Sequence, residues 1–299
     1  MSIVFHFDGT EALRQRLEPL GVTLCAESDE AAFERLLPEM EVLWHVLKPV
    51  TGPLIARAPK LRLIQKIGIG VNTIDLEAAK RRGIAVCNLP GTNSRAVAEM
   101  TLALMLACLR RLPQLDQSVR DGKWKAGWAL QERFGELGGR SVGLVGYGAV
   151  PKLLHPILEA LGARVLFWSR SQKNSGLDEL VAGSDIVSLH LPLTPQTQGI
   201  LDARKMKRGA ILVNTARGGL VDEASIVEAL QDGTLSAAGL DVFAEEPVRP
   251  DHPLLRHENV VTAPHLAWLT GETLQRSIEA ALRNMNKLRS GVPLENRVA

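Results

Sequence analysis

Three side chains that can bind or protonate a small anion follow short apolar segments in the second half of the chain. They are Arg217, Glu246 and His265, and the segments before them are 210–213, 237–240 and 260–262. Such apolar runs are typical of buried strands, and ligands bind at the carboxyl ends of strands in open α/β sheets. A fixed cation, a proton donor and a carboxylate that tunes the donor are sufficient groups for reducing a 2-oxo acid.

The elements that must position these groups alternate between strand and helix. In residues 1–95, strands are predicted at 3–7, 42–47, 63–67 and 84–87, with an amphipathic helix at 11–20. From residue 141 the alternation restarts, with strands predicted at 141–146, 164–168, 185–190, 210–214, 237–241 and 260–262. Helical patterns lie between them, for example over 152–161 and over 222–230. This order is typical of the α/β class with doubly wound parallel sheets.

Two long helical patterns divide the chain. Residues 96–112 form a strongly apolar helix that Pro113 should stop, and we interpret it as the bridge into a second domain. Residues 271–288 form an amphipathic helix after the second sheet is complete, and we expect it to return to the first domain. The predicted domains are therefore a discontinuous substrate domain, 1–95 with 270–299, and a dinucleotide-binding domain, 96–269.

A glycine turn opens the second domain. Gly146 and Gly148 follow a predicted strand and precede a helix, as the first two glycines of a dinucleotide fingerprint do, and Ala149 and Val150 begin that helix. The pyrophosphate of the cofactor would rest on the helix N-terminus. Pro151 stands where the third glycine is expected, which should alter how closely helix and strand pack.

The next strand end indicates which dinucleotide is preferred. It continues into Ser169, Arg170 and Ser171, with no acidic residue where the ribose of NAD would be bound. Since an arginine at this place accommodates the 2′-phosphate of NADP, we expect NADP(H) to be preferred, with NAD(H) possible.

Composition excludes several classes of protein. The net charge is +2 and the basic residues are dispersed, so no nucleic-acid partner is expected. No apolar run reaches about 18 residues, so no membrane span is expected. The three cysteines lack metal-ligand spacing, no metal site is predicted, and the odd count without a signal peptide indicates a cytoplasmic protein.

Together these segments resemble the D-2-hydroxyacid dehydrogenase family over nearly the whole chain. The resemblance rests on the blocks 214–218, 240–247 and 264–265, supported by 68–72, 86–91, 97–99 and 190–197. The segment 265–268, His-Leu-Ala-Trp, is similar to the glyoxylate and hydroxypyruvate reductase branch. The resemblance implies two Rossmann-like domains with an interdomain cleft, and a homodimer, for which the apolar helix also argues.

The family implies a role for each of the three groups. Arg217 would hold the substrate carboxylate and polarise the 2-oxo group, because a guanidinium is permanently charged and binds paired oxygens. His265 would protonate the carbonyl oxygen as hydride arrives. Glu246 would pair with the imidazole and raise its pKa. Glu245 is the competing carboxylate, and Glu246 is preferred because the acid of the family directly precedes the proline.

Further positions are implied by the same resemblance. Besides the glycine turn, the cofactor-binding positions are His190, Leu191, Pro192, Thr197, Thr215, Ala216, Asp241 and His265, with Asp241 on the nicotinamide carboxamide. The substrate-binding positions are Gly70, Val71, Asn72, Arg217 and Trp268. The family more often has Asp where Asn72 stands, and Trp268 is either a pocket wall or a core aromatic.

The predicted function is the reduction of a small 2-oxo acid, such as glyoxylate or hydroxypyruvate, to the D-2-hydroxy acid with NADPH or NADH. One alternative is a formate- or phosphite-type dehydrogenase, although formate dehydrogenases have Gln where Glu246 stands. The other is a nucleotide-sensing, corepressor-like binding protein with the same fold, which Pro151 keeps open because altered packing could weaken cofactor binding.

Overall fold

The computed structural model describes the backbone of residues 1–299 and all of their side chains except that of residue 126. The chain divides into two compact units. Unit 1 consists of Met1–Asn93 and Thr270–Ala299, and unit 2 of Ser94–Leu269. Each unit contains one fully parallel sheet with helices, so the predicted α/β class is confirmed.

Unit 1 is built on five strands in the order β2-β1-β3-β4-β5. The strands are β1 (Ile3–His6), β2 (Val22–Cys25), β3 (Val42–His45), β4 (Leu63–Lys66) and β5 (Ala85–Cys87). The helices between them are α1 (Glu11–Leu17), α2 (Glu30–Leu36), α3 (Gly52–Ala56) and α4 (Leu76–Arg81). The sequence pattern did not predict β2, which is a four-residue edge strand directly after the left-handed Gly21.

The end of the chain is bonded to this sheet. The last helix runs over Gly271–Ser290, and its buried Asn284 donates from Nδ2 to Gln65 Oε1 in β4 at 2.8 Å. Beyond the helix, the Val298 N–H donates to Val86 O at 2.8 Å. Residues 270–299 therefore belong to unit 1, and the helix contributes buried residues such as Asn284 to it.

Unit 2 contains a six-stranded sheet in the order β11-β10-β9-β8-β6-β7. The strands are β6 (Ser141–Val145), β7 (Arg164–Trp168), β8 (Ile186–Leu189), β9 (Ala210–Asn214), β10 (Leu235–Leu240) and β11 (Val260–Thr262). The helices are α5 (Ser94–Arg110), α6 (Leu112–Arg120), α7 (Ala149–Ala160), α8 (Leu177–Gly183) and α9 (Glu223–Asp232), and the Gly271–Ser290 helix of unit 1 is α10. All six strands lie within two residues of their predicted bounds.

The apolar helix predicted over 96–112 is α5, which ends two residues earlier than predicted, and a second helix begins at Leu112. α5 ends at Arg110, Arg111 adopts a left-handed φ of 53°, and Pro113 then lies in the first turn of α6. Proline is tolerated in a first helical turn, so Pro113 starts the second helix as well as limiting the first. Among the described residues no helix is both long enough and apolar enough to cross a membrane.

The order of strands reverses once in each sheet. In unit 1 the chain leaves β1 for β2 on one side and returns to β3 on the other, and in unit 2 β6 lies between β7 and β8 in the same way. These switch points open a crevice at the carboxyl ends of the strands, where ligands bind in open α/β sheets.

Candidate active site

The loop after β9 positions Arg217. Asn214 holds the loop by accepting the Ala216 N–H at Oδ1 (3.0 Å) and donating from Nδ2 to Arg217 O (2.9 Å). Thr215 is fixed from the other side, because its hydroxyl lies 2.9 Å from that of Thr101 in α5. The half-buried Arg217 guanidinium donates from Nη1 to Ala216 O at 2.6 Å, and burial is the main cause that lowers its pKa. An arginine stays charged in spite of such a shift.

Gly218 lets this loop lie against the loop after β10. A Cβ atom at position 218 would collide with the backbone of Phe243. The glycine after Arg217 is therefore required by close approach of two backbones, which brings the loops of neighbouring strands β9 and β10 together.

The loop after β10 carries Asp241 and Glu246. Asp241 is 1% exposed, and its carboxylate accepts the N–H groups of Leu266 (2.9 Å) and Ala267 (3.0 Å). Its backbone oxygen accepts the His265 N–H at 2.7 Å. Asp241 was predicted to contact a nicotinamide; in the structure both of its carboxylate oxygens hold the loop that carries His265.

His265 needs this support because its backbone is unusual. Its φ is 56°, a left-handed conformation that costs energy in any residue except glycine. Three hydrogen bonds from the single residue Asp241 hold residues 265–267. The histidine after β11 is therefore fixed by the neighbouring strand β10.

Glu246 and His265 form a direct ion pair. His265 Nδ1 lies 2.6 Å from Glu246 Oε2, and Glu246 Oε1 accepts the Phe243 N–H at 3.0 Å. Burial raises the pKa of Glu246, but the hydrogen bond and charge of His265, the Phe243 N–H and the charge of Arg217 outweigh it and leave that pKa below its usual value. Glu246 is therefore ionised near neutral pH. The peptide bond between Glu246 and Pro247 is cis.

Since Nδ1 of His265 is engaged by the carboxylate, Nε2 is the nitrogen left to act on a ligand. The charge of Arg217 lowers the pKa of Glu246, and the charge of Glu246 raises that of Arg217, so the guanidinium lies within electrostatic range of the pair. The structure thus brings together the three residues that the sequence singled out, one after each of the adjacent strands β9, β10 and β11.

The glycine turn of unit 2 lies at its switch point. Gly146 has φ of 99°, and a Cβ there would lie 2.5 Å from His190 O, so the turn requires glycine. Gly148 caps α7, and no side chain caps that helix terminus. Pro151 is the third residue of α7, and the first intrahelical bond after it is donated by Lys152 to Gly148 O at 3.2 Å.

Pro151 therefore costs no intrahelical hydrogen bond, because the N–H it lacks would have had no helical partner. The N–H groups of Ala149 and Val150 in the first turn are retained as donors for an anion. The buried Pro151 replaces the expected glycine without removing these donors, so the residues present fit a dinucleotide pyrophosphate.

Tyr147, inside the glycine turn, was not singled out from the sequence. Its hydroxyl lies 2.6 Å from His155 Nδ1 in α7, and its ring stacks on Phe167 of β7 with centroids 3.8 Å apart. These contacts tie the turn to the helix and the strand that follow it. Because Tyr147 lies before α7 begins at Ala149, its eight-residue spacing to His155 gave no helical signal in the sequence.

The loop after β7 is a tight turn. Ser169 donates from Oγ to Gln172 O (2.6 Å) and accepts the Gln172 N–H (2.9 Å), which leaves Arg170 and Ser171 at the tip. Arg170 and Lys173 are exposed, and neither forms an ion pair with any side chain that the structure describes. Two cations thus lie at the strand end where NAD-selective sites have a carboxylate.

The loop after β8 holds the remaining cofactor positions of unit 2. Thr197 donates from Oγ1 to Pro192 O at 2.6 Å and accepts the Thr194 N–H at 2.8 Å, which closes the loop that begins at His190 and Leu191. Burial lowers the pKa of His190 to about 3, so this ring is neutral and its Nε2 pairs with the Ser188 hydroxyl at 3.0 Å.

The predicted substrate-binding loop belongs to unit 1. Gly70, Val71 and Asn72 follow β4, and the Ile74 N–H donates to Val71 O at 3.0 Å to close the loop. Asn72 is exposed, and Val71 is partly exposed. Trp268, in unit 2, is 7% exposed, so most of its surface packs against protein.

Comparisons with known proteins agree with one another. Residues 102–267 match the family model for the NAD binding domain of D-isomer specific 2-hydroxyacid dehydrogenases. A glyoxylate reductase of Aeropyrum pernix is 41% identical over 85% of this chain and 82% of its own length. A hydroxypyruvate reductase of Blautia hydrogenotrophica is 32% identical over 86% of this chain and 84% of its own.

A solved structure extends the similarity to both units. The crystal structure of a protein from Thermus thermophilus covers 100% of each chain with a TM-score of 0.89 and 36% identity. With this likeness, the family match over unit 2 and relatives above 30% identity over most of the length, the chain belongs to the D-isomer specific 2-hydroxyacid dehydrogenase family.

Proposed function

We propose that this dehydrogenase reduces a small 2-oxo acid of the glyoxylate or hydroxypyruvate type to the D-2-hydroxy acid, with NADPH preferred over NADH. The observation that carries the proposal is the ion pair between His265 Nδ1 and Glu246 Oε2 beside the Arg217 guanidinium. The names of the glyoxylate and hydroxypyruvate reductases among its relatives support the substrate class.

Each residue has a defined part in that reduction. Arg217 binds the substrate carboxylate and draws electron density from the 2-oxo oxygen, because a guanidinium can engage two oxygens at once. Protonated His265 donates from Nε2 to the carbonyl oxygen as negative charge develops there. Glu246 holds the ring through Nδ1 and stabilises the imidazolium before the proton leaves. A reduced nicotinamide, when bound, supplies the hydride.

The division of labour between the units follows the same proposal. Unit 2, the predicted dinucleotide-binding domain 96–269, would hold the pyrophosphate at the N-terminus of α7, on the N–H groups of Ala149 and Val150. Unit 1 would contribute the loop Gly70, Val71 and Asn72 to the substrate carboxylate, and Trp268 would limit the size of the substrate.

The test of the reaction is NADPH oxidation, followed by absorbance, against a panel of 2-oxo acids that differ only in the group on C2. Turnover of glyoxylate or hydroxypyruvate well above that of larger acids supports the proposal. Oxidation of formate or phosphite with no reduction of any 2-oxo acid would replace it with the alternative dehydrogenase. Tight NADPH binding without turnover of any compound would indicate a nucleotide-sensing protein.

The cofactor preference rests on the cations after β7. Arg170→Asp should lower kcat/KM for NADPH by on the order of 100-fold and leave that for NADH nearly unchanged, since a charge-assisted bond to a phosphate contributes about 1.5–3 kcal/mol. Arg164→Asp is the matched control. Arg164 is also exposed, but it lies at the amino-terminal end of β7, away from the strand end that Arg170 follows. A parent enzyme that prefers NADH tenfold or more would contradict the assignment.

A further inference from the structure

A second pair of a glutamate and a histidine lies beside the loop that carries Glu246. Glu223 stands in the first turn of α9, and its Oε2 lies 3.3 Å from Nε2 of His252, in the segment before β11. The two side chains are 19% and 21% exposed, and both residues belong to unit 2. The proposed reduction does not use this pair, although it has the same composition as the pair of Glu246 with His265.

The Glu223 carboxylate also binds the loop after β10. Its Oε1 accepts the Ala244 N–H at 2.8 Å. The preceding amide, that of Phe243, donates to Glu246 Oε1 at 3.0 Å. Two successive N–H groups of one loop are therefore bound by two carboxylates, one from the loop itself and one from α9. The carboxylate from α9 ties the loop to a regular helix.

Both ring nitrogens of His252 are engaged. Nδ1 accepts the Leu254 N–H at 3.3 Å and so caps the short helical turn Pro253–Arg256. Since a ring nitrogen that accepts a hydrogen bond carries no proton, the proton of this ring is on Nε2, the nitrogen nearest Glu223. His252 therefore holds the Glu223 carboxylate and cannot serve as an acid for a ligand, whereas His265 keeps Nε2 for that purpose.

The ring of His252 also packs on the loop. It meets the ring of Phe243 edge to face, with centroids 5.9 Å apart. Phe243 is 7% exposed, and its backbone lies against Gly218, the residue after Arg217. The position of residues 243–246 therefore depends both on the bond from Glu223 and on this ring contact.

We propose that Glu223 and His252 are positioning residues for the reduction, which hold residues 243–246 so that Glu246 meets His265. The inference rests on the proposed function, because it assigns both residues to that reaction. The bond between Glu246 and His265 is 2.6 Å long, and a charge-assisted hydrogen bond of this kind weakens steeply when its geometry is lost. A carboxylate is suited to the place of Glu223, because a helix N-terminus favours negative charge.

The first test is Glu223→Gln, whose amide can accept the Ala244 N–H but then presents its NH₂ group to the Nε2 proton of His252. Reduction should slow about tenfold at pH 8 and less than about threefold at pH 6, because a loosened Glu246 stabilises the imidazolium less. KM for both substrates should stay within about twofold. Glu228→Gln is the matched control, since Glu228 is an exposed residue of the same helix that pairs with Arg204, and it should behave as the parent does.

A double-variant cycle separates positioning from a merely structural role. When Glu246 is already Gln, adding Glu223→Gln should slow reduction by less than about twofold, because no charged pair is left to position. Effects of the two changes that multiply would show that Glu223 acts independently of Glu246, which would overturn the inference.

Two replacements of His252 give a second comparison. Asn can cap the Leu254 N–H in place of Nδ1 but is too short to reach Glu223, whereas the longer Gln can place an N–H near the position of Nε2. kcat at pH 8 should fall about tenfold in His252→Asn and stay within about threefold of the parent in His252→Gln. Circular dichroism checks that each variant is folded, and equal kcat values in the two variants would contradict the role of His252.

A spectroscopic readout does not require turnover. The proton between His265 Nδ1 and Glu246 Oε2 should give a far-downfield NMR resonance, because their hydrogen bond is short. Glu223→Gln should broaden this resonance and Glu228→Gln should not. An unchanged resonance, or a pH profile of Glu223→Gln parallel to that of the parent, would overturn the inference. A parent that reduces no 2-oxo acid would instead overturn the proposed function, and the resonance would still show whether Glu223 positions Glu246.

Discussion

The two sheets share a topology but differ in the residues at their switch points. In unit 1 this point lies between β1 and β3, and His6 and His45 end these strands as register partners. His6 is 4% exposed and stacks on Phe33 with ring centroids 3.9 Å apart. In unit 2 the corresponding point lies between β6 and β8, where Gly146 and His190 follow the strands. A helix N-terminus follows the first strand in both units, but the side chain of Thr10 caps α1, whereas Gly148 leaves the N-terminus of α7 without a side-chain cap.

The electrostatics of the two edges also differ. Burial lowers the pKa of His6 to about 4 and that of His45 to about 3, so both rings are neutral, and among the described residues His6 Nε2 and His45 Nδ1 have no hydrogen-bond partner. At the edge of unit 2, the carboxylate of Glu246 is ionised and paired with His265. The same topology therefore holds two neutral, packed histidines in unit 1 and a histidine paired with an ionised carboxylate in unit 2, which shows that side chains and not topology define the site.

The largest effect should come from removing the cation of the site in unit 2. Arg217→Gln is expected to lower kcat/KM for the 2-oxo acid by on the order of 1000-fold, because both the carboxylate bond and the polarisation of the carbonyl are lost. Arg217→Lys should recover only part of this activity, since an ammonium is a point charge that cannot bind two oxygens in fork geometry. Steady-state kinetics with saturating NADPH measure both.

Arg204→Gln is the control for that change. Arg204 is an exposed arginine of unit 2 whose ion pairs are to Asp202 and Glu228, and its loss should leave kcat/KM within about twofold. A loss of less than about tenfold in Arg217→Gln would show that the guanidinium does not act on the substrate.

The second effect depends on pH. Glu246→Gln keeps an acceptor for the Phe243 N–H but removes the charge that favours a protonated His265. Reduction should therefore slow by about 100-fold at pH 8 and by much less at pH 6, where protons are more abundant. The pH profile of kcat/KM for the parent and the variant measures this difference.

Glu245→Gln tests whether the adjacent carboxylate matters. Glu245 is exposed and has no part in the ion pair that the structure shows, so its pH profile should match that of the parent. If Glu246→Gln lowered the rate equally at pH 6 and pH 8, the pair would have a structural role only.

The strand ends of unit 2 and the residues after them could be predicted because both signals are local. A short apolar run predicts a buried strand, and the residue type that follows it indicates the chemistry at the sheet edge. The pairing of Glu246 rather than Glu245 was predicted from the proline that follows it, and the structure places Glu246 at 2.6 Å from His265.

Contacts that depend on tertiary packing could not be predicted in this way. The three bonds from Asp241 to residues 265–267 join segments 24–26 residues apart, and the hydroxyls of Thr101 and Thr215 meet across 114 residues. The neutral state of His6 and His45 is equally invisible in the sequence, because it follows from burial at the ends of two strands. The edge strand β2 was missed although it is as long as β1, β3 and β4, and its exposed Thr23 interrupts the apolar run.

The third effect concerns the loop that carries His265. In Asp241→Asn the side-chain NH₂ group would face one of the two N–H donors that the carboxylate now accepts, so one bond is lost and the left-handed backbone of His265 is less well held. We expect kcat to fall about 10- to 30-fold with KM changed less than about threefold, because proton transfer depends on the position of the ring and not on substrate affinity.

Asp185→Asn is the matched control. Asp185 also accepts a backbone N–H, that of Ser141 at 2.8 Å, but it lies at the amino-terminal ends of the strands. Both variants should lower stability by about 1–3 kcal/mol, but only the change at position 241 should lower kcat. Equal kcat values in the two variants would show that Asp241 supports the fold alone.

The smallest effect is on acid stability and not on activity. An unfolded histidine has a pKa of about 6.5, so unfolding of unit 1 takes up protons at His6 and His45 as the pH falls below that value. Because the unfolded state binds more protons, unit 1 is most stable above about pH 6.5 and loses stability down to about pH 4, by at most about 1.4 kcal/mol per pH unit for each ring. In unit 2 the neutral His190 is one such ring. The stability of unit 2 should therefore fall about half as steeply with falling pH.

Hydrogen exchange of the slowest amides in each sheet, corrected for intrinsic rates between pH 7 and pH 5, separates the two units. His6→Phe keeps the stack on Phe33 and removes one titrating ring, so the pH dependence should become shallower in β1 and stay unchanged in β6. Since Glu246 has a lowered pKa, its carboxylate stays ionised through this range. If exchange in both sheets of the parent depended equally on pH, His6 and His45 would not be kept neutral by burial. The two units would then differ at their switch points in backbone shape and not in the charge state of these histidines.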